Sequence, residues 1–301
     1  MNIIKTENLC KDFGELKVLK NCSLEVAQGE VVCIIGPSGA GKSTFLRLIT
    51  GVYRPDEGHI LIDGKPVWEN PEVKRRIAYV PDELYFLMGA NINRMEKMYK
   101  SLYPTFSVEK CRRLTKLFEL DPKKPLNTFS KGMRRQAATL LALSIQPDYI
   151  FFDETFDGLD PVMRNLVKKL ICDDVLERNA TAVITSHSLR ELEDTCDQLA
   201  LLHKGGLVLQ SDVENLKTKQ YKIQAAFPQI YEKEDFEKMG IPVQHYSRQG
   251  TVINMIVKGD RNTANEKLRA LQPVLLEILP LSLEEVFTYE MDALGYTFDY
   301  Q

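Results

Sequence analysis

Between Gly36 and Ser43 the chain reads Gly-Pro-Ser-Gly-Ala-Gly-Lys-Ser, the pattern G-x-x-x-x-G-K-[ST], and Thr44 follows. Glycines at 36, 39 and 41, with Ser38 between them, let backbone N–H groups turn inward around phosphate oxygens. A helix opening at Lys42 adds the partial positive charge of its N-terminus. In such a loop Lys42 reaches the β- and γ-phosphates of a nucleotide, and Ser43 offers its hydroxyl to Mg²⁺. The pattern alone leaves open which kind of nucleotide-using protein this is.

Three further stretches carry candidate chemistry. "YIFFDE" sets Asp153 and Glu154 at the end of an apolar run, where carboxylates are costly unless a cation or a reacting water compensates them. Asp153 suits a role toward Mg²⁺, and Glu154 suits a general base that polarises an attacking water. "VITSHSLREL" ends a second apolar run at His187, placed to contact a γ-phosphate and orient the water, with Ser188 and Glu191 as a capping box for a following helix. "TFSKGMRRQ" is a Ser-x-Gly turn entering a helix, a second anion-binding N-terminus built on Ser130 and Gly132. Within one chain it has no obvious phosphate to bind; across a dimer it closes over the nucleotide held by the opposite loop.

The elements that must position these residues read as follows. "GEVVCIIG" is a short buried strand and "GKSTFLRLITG" a helix, so the glycine loop lies between a strand and a helix. "HILIDGKPV" turns at Asp63-Gly64 and reads as a hairpin. A mostly helical stretch fills about residues 85–146. "DYIFFDE" and "TAVITSH" are two more buried strands with a helix between them. This alternation indicates an α/β domain. After "LHKGGLVLQSD" a polar connector near Val213 to Gln220 leads into a second unit. There "YKIQAAF", "TVINMIVKG" and "VLLEILPL" read as strands, and "EDFEKMG", "NEKLRAL" and "LEEVFTYEM" as helices. Thr263 with Glu266 and Ser282 with Glu285 form the capping-box pattern on two of these. The expected layout is residues 1–215 and a small α+β domain over 220–301.

Composition narrows the partners. A net charge of -3 in 301 residues gives no basic field of the kind that attracts nucleic acid. No run of eighteen apolar residues is present, and charge interrupts the N-terminal stretch too early for a secretory signal. The six cysteines, at 10, 22, 33, 111, 172 and 196, are scattered without metal-ligand spacing. They read as reduced thiols of a cytosolic chain.

Taken together, these stretches resemble the nucleotide-binding subunit of an ATP-binding cassette (ABC) transporter over about residues 1–212. In that resemblance "GPSGAGKST" is the Walker A loop, "FSKGMRRQ" sits at the signature, "IFFDE" is Walker B, "DGLD" is the D-loop with Asp160, and "TSH" is the switch histidine. Phe13 matches the aromatic position that stacks on adenine. The implied fold is a P-loop ABC-type nucleotide-binding domain with a helical subdomain. The implied activity is ATP hydrolysis with Mg²⁺, shared by two subunits as a homodimer or a heterodimer. The implied partners are separate transmembrane permeases that hold the chain on the cytoplasmic face of the membrane, with about Asp82 to Met98 near the permease.

Two motifs depart from the family pattern. Lys131 and Met133 replace a glycine and the glutamine of the usual Leu-Ser-Gly-Gly-Gln signature. Lys131 either reaches a facing γ-phosphate or lies solvated on the helix's outer face, the second being the plainer expectation. Asp82 stands where the family has a Mg²⁺-sensing glutamine, either binding the metal more directly or acting only in coupling, and neighbouring Glu83 is a possible substitute. "YVPDE", "YKSLYPTF" and "SLEEVFTYEM" are similar to bacterial exporters of antimicrobial peptides, lantibiotics and phenol-soluble modulins. The resemblance therefore implies export of peptides or other amphipathic compounds. Two alternatives stay open here: a catalytically silent regulatory cassette, and a soluble cassette ATPase acting on nucleic acid or ribosomes. Against the second, fewer than about one hundred residues separate Gly36 from Ser130, too few for inserted coiled coils.

Overall fold

A computed structural model describes residues 2–189, 192, 194–215, 220–286 and 288. The chain forms two compact units, Met1–Gln210 and Ser211–Gln301.

The first unit is built on a six-stranded sheet of order β10-β9-β3-β8-β7-β6. Its central strands β3 (Val31–Ile35), β7 (Tyr149–Asp153) and β8 (Thr181–Ser186) are buried at every residue. That explains why they read as unbroken apolar runs rather than alternating ones: a parallel strand covered on both faces has no polar side. β6 (Ile77–Val80) pairs parallel with β7, and β9 (Gln198–His203) pairs parallel with β3. β10 (Gly206–Asp212) forms the far edge.

Register aligns the strand ends. Ile35 lies opposite Ser186, and Asp153 opposite Thr185. The glycine loop after β3, Glu154 after β7 and His187 after β8 therefore leave the sheet along one carboxyl edge, the usual place for a ligand in such sheets.

A second, antiparallel sheet has the order β2-β1-β4-β5, with β1 (Asn2–Phe13), β2 (Leu16–Ala27), β4 (Glu57–Ile62) and β5 (Lys65–Pro66). The expected hairpin at Asp63-Gly64 is the β4–β5 pair. Ile4, Leu9, Leu24 and Ile62 from this sheet share one core with Phe45, Leu48, Phe151 and Val183. Burying each such side chain contributes about 1.5–3 kcal/mol.

Six helices of this unit bear on the site. α1 (Lys42–Ile49) starts at Gly41, whose left-handed φ of 105° suits glycine. α3 (Ile92–Leu102) and α4 (Val108–Leu117) lie within the stretch expected to be helical, and a short α2 (Pro71–Lys74) precedes β6. α5 (Lys131–Ser144) begins at Ser130, whose hydroxyl accepts the Met133 N–H at 3.2 Å. α6 (Pro161–Arg178) begins at Asp160, whose carboxylate accepts the Val162 and Met163 N–H groups, both at 3.0 Å. Both N-caps satisfy donors that a helix start otherwise leaves free.

The structure corrects the reading of the cysteines. Cys33 on β3 and Cys196, two residues before β9, form a disulfide with a Cα–Cα distance of 5.9 Å. They are 163 residues apart in sequence, and only the parallel β3–β9 pairing brings them together. Cys10, Cys22, Cys111 and Cys172 are free.

The second unit has a four-stranded antiparallel sheet of order β12-β13-β11-β14. Along the chain, β11 (Gln220–Ala226), α7 (Lys233–Lys238), β12 (Val243–Gln249), β13 (Val252–Lys258), α8 (Arg261–Arg269) and β14 (Leu275–Pro280) give the β-α-β-β-α-β arrangement of ferredoxin-like folds. Phe236 of α7 and Leu268 of α8 pack with Ile223, Ile253 and Met255 on one face. On the other face, Lys222 pairs with Glu285 at 3.1 Å.

The Ser282–Glu285 capping box is present, with Ser282 N–H on Glu285 and Glu285 N–H on Ser282. The Thr263–Glu266 expectation is corrected: α8 starts earlier, at Asp260, whose carboxylate accepts the Thr263 N–H at 2.7 Å. Aspartate is as good an N-cap as threonine or better. The box expected at Ser188–Glu191 involves a residue outside those described, as does the end of the last expected helix.

Candidate active site

Along the carboxyl edge of the parallel sheet lies a cavity of about 420 Å³ lined by Ser38, Gly39, Gly41, Lys42, Ser43 and Thr44 of the loop, with Val18, Asp82, Glu154, Asp157 and His187 around it. Gly36 sits just behind the lining. A Cβ there would stand 2.1 Å from the Leu202 carbonyl oxygen, so no larger residue fits without moving β9. Gly39 and Gly41 hold positive φ of 80° and 105°.

Lys42 is buried, and its Nζ donates to the Gly36 and Pro37 carbonyls at 2.7 and 3.2 Å. It also lies 3.2 Å from Glu154 Oε1. The other oxygen of Glu154, Oε2, is 2.8 Å from His187 Nδ1. Lysine, carboxylate and imidazole thus form one connected row. Glu154 holds a φ of 48°, a left-handed conformation that a non-glycine residue adopts at a cost of order 1–3 kcal/mol. Its N–H is tied to the Thr185 carbonyl and hydroxyl at 3.2 and 3.1 Å, which fixes the bend.

Asp153 is fully buried. Its Oδ1 accepts hydroxyls from Ser43 at 3.0 Å and Thr185 at 2.7 Å, and its Oδ2 accepts the Tyr79 hydroxyl at 3.4 Å. Burial, with Asp153 beside it, pushes the Tyr79 phenol above its ordinary pKa, so it remains a donor. A buried carboxylate held by neutral hydroxyls and adjoining a serine at a phosphate loop is a donor set of hard oxygens, which fits Mg²⁺. Among the described residues no group of three or more His, Cys, Asp or Glu forms a metal cage of its own. Mg²⁺ commonly takes only one or two protein ligands and completes its shell with water and phosphate.

Other expected residues stand apart from this cavity's wall. Phe13 is 45% exposed and meets Tyr53 edge-on at 5.6 Å. Ser130 and Asp160 are exposed N-caps of α5 and α6. Gly132 is placed by closeness to another backbone: a Cβ would lie 3.0 Å from the Gly158 carbonyl oxygen.

Lys131 is 61% exposed, as the plainer expectation had it, but it is paired rather than simply solvated. Its Nζ pairs with Asp157 Oδ2 at 2.7 Å, joining the signature turn to the loop after Glu154. That hydrogen bond holds the Asp157 carboxyl below the usual carboxylate range. Asp82 lines the cavity, and its Oδ1 takes the guanidinium of Arg135 at 2.5 Å.

Thr185, Tyr79 and Asp157 were not singled out from the sequence. Thr185 had a signal, since a threonine inside a buried apolar strand must find a hydrogen-bond partner. Asp157 and Tyr79 open the quoted stretches "DGLD" and "YVPDE", yet nothing in the sequence gave either a role.

The sequence profile of the ABC transporter family matches residues 19–157. The ABC transporter ATP-binding protein YtrB of Bacillus subtilis is 31% identical over 285 residues, which cover 95% of this chain and 97% of that protein. The bacitracin transport ATP-binding protein BcrA of Bacillus licheniformis is 30% identical over 73% of each chain. A solved ATP-binding subunit of an ABC transporter superposes with a TM-score of 0.66 at 26% identity, covering 71% of this chain and 92% of that one. The chain belongs to the ATP-binding subunits of ABC transporters. It binds ATP and is an ATPase that serves transport, so neither the silent-cassette nor the nucleic-acid alternative is favoured. No helix among the described residues is long and apolar enough to cross a membrane.

Proposed function

We propose that this chain powers export of a peptide or another amphipathic compound through separate permease subunits, which hold it on the cytoplasmic face of the membrane. The similarity to BcrA, a bacitracin transport protein, supports that substrate class. The observation that carries the chemical reading is the convergence of Lys42, Ser43, Glu154 and His187 on one cavity, with Asp153 directly behind Ser43.

In this reading the loop amides and Lys42 hold the phosphates, and Phe13 stacks on adenine. Ser43 and Asp153 would hold Mg²⁺, which when bound neutralises charge on the phosphates. Glu154 accepts a proton from the attacking water, and His187, hydrogen-bonded to Glu154, fixes the direction of that carboxylate. A second subunit supplies Ser130 and Gly132 over the nucleotide, with Asp160 along the seam; loss of the γ-phosphate then releases the closure. The site serves a homodimer directly, since each chain carries both halves.

The test is light scattering on Glu154→Gln with ATP. Removing the base lowers turnover on the order of 10²–10⁴-fold, so the closed dimer accumulates. Ser130→Arg in the same background should abolish it. A monomer under all conditions would overturn the homodimeric sandwich.

A further inference from the structure

Arg135 lies about one turn into α5 from Ser130, and it is the largest side chain in the unit to be almost wholly buried, at 1% exposure. Its Nη1 donates to the Pro81 carbonyl at 3.1 Å and its Nη2 to Asp82 Oδ1 at 2.5 Å, while its Nε has no acceptor among the described residues. A guanidinium out of water is costly unless a carboxylate pairs with it. Asp82 is that carboxylate.

Asp82 is not buried in the same way. Its side chain is 46% exposed and forms part of the cavity wall with Lys42, Ser43, Glu154 and His187. It follows Val80, the last residue of β6, by two positions. The pair therefore joins two different surroundings: a cation sunk into the packing of α5, and an anion facing the place where phosphates are read to bind. Because Pro81 and Asp82 are both gripped by one guanidinium, the loop after β6 is held at two consecutive residues.

We propose that Arg135 is the positioning residue for Asp82, fixing its carboxylate in the cavity wall and cancelling the negative charge that it would otherwise present to a bound nucleotide. This rests on the nucleotide reading of the cavity and adds a residue outside the lining. The consequence is electrostatic and signed. Without the guanidinium, the Asp82 carboxylate repels a metal-free nucleotide and is offset when Mg²⁺ accompanies it. Without the carboxylate, the guanidinium favours the metal-free nucleotide.

The experiment uses the full chain and a fluorescent N-methylanthraniloyl-ADP, titrated in excess EDTA and again in excess Mg²⁺, with the ratio of the two Kd values as the readout. Arg135→Gln should raise the EDTA-to-Mg²⁺ ratio about fivefold, and Asp82→Asn should lower it by a similar factor, as expected for one charge acting across a solvent-accessible cavity of high effective dielectric. The double variant should return the ratio to within about twofold of the unsubstituted chain, as coupled neighbours do. A merely structural Arg135 would weaken both titrations alike and leave the ratio in place, which would overturn the inference. Should Arg135→Gln fail to fold, the double variant compared with Asp82→Asn decides: loss of the guanidinium should raise the ratio from the Asp82→Asn value, and an unmoved ratio overturns the inference. If the unsubstituted chain binds no analogue in either titration, the nucleotide reading falls and this inference with it. Binding with an unmoved ratio removes this inference alone.

Discussion

Thr185→Val is the most informative single change at this site, because one hydroxyl bonds both the Asp153 carboxylate and the Glu154 backbone. Thr185 donates to the fully buried Asp153 at 2.7 Å and accepts the Glu154 N–H at 3.1 Å. Valine keeps the shape and removes both contacts. A hydrogen bond to a charged group contributes about 1.5–3 kcal/mol. The Glu154 N–H retains the Thr185 carbonyl at 3.2 Å, so its loss is partly covered. The net cost is therefore about 2–3 kcal/mol, which for a unit of this size lowers Tm by roughly 5–10 °C. The rate should fall by more than stability implies. Glu154 sits at a φ of 48° that this tie helps to hold, and small misplacement of a catalytic group costs on the order of 10²-fold. Calorimetry and steady-state ATP hydrolysis, with Thr185→Ser as the variant that keeps the hydroxyl, make the assay. A Thr185→Val protein within about 0.5 °C and about twofold of the unsubstituted chain would refute the idea that this hydroxyl organises Asp153 and the Glu154 backbone.

Other expectations follow from the same geometry. Gly36→Ala places a Cβ 2.1 Å from the Leu202 carbonyl oxygen; it should cost more than about 2 kcal/mol and abolish nucleotide binding, as read by denaturant unfolding and a nucleotide titration. Phe13→Ala should weaken ATP binding by about three- to tenfold, the worth of one aromatic stack, and narrow the preference for ATP over GTP. Asp157 is held below the usual carboxylate range by Lys131. Its contribution is thus present above the unfolded carboxylate value, near 3.8, and lost as pH falls through the lowered folded value. Both partners are well exposed, so the pair contributes less than about 1 kcal/mol. Between pH 5 and 8, roughly, Lys131→Ala should leave the shape of the stability–pH curve unchanged while raising the Asp157 pKa seen by NMR.

The parts of this fold that could be read from the sequence were those with one dominant physical cause. β3, β7 and β8 announced themselves because a strand buried on both faces must be apolar throughout. α5 announced its start through the turn at Ser130, whereas the Asp160 cap of α6 came only with the structure. β12 went unnoticed, since it is an edge strand whose residues are mostly exposed and whose pattern, Val-Gln-His-Tyr-Ser-Arg-Gln, carries little alternation. The antiparallel pairing of β1 with β2 was also missed, being interrupted by register shifts that blur the period of two.

Among the site residues, the glycine loop, Asp153, Glu154 and His187 were legible because each ends a buried strand. Their partners were not, because the contacts join distant positions: Lys131 with Asp157, Arg135 with Asp82, Tyr79 with Asp153. Spacing along a chain carries no record of such pairings. The Cys33–Cys196 bond is the extreme case, joining positions that only the sheet order makes neighbours.

The closeness of Gly132 to Gly158 bears on how two sites are joined. The start of α5 and the loop after Glu154 lie backbone against backbone, with an ion pair one residue before each glycine. That junction begins three residues after Glu154, inside one chain's own pocket, and ends at Ser130, the surface offered to the other chain in the proposed dimer. In the proposed dimer, one short junction would thus serve both the pocket on its own side and the surface that faces the other.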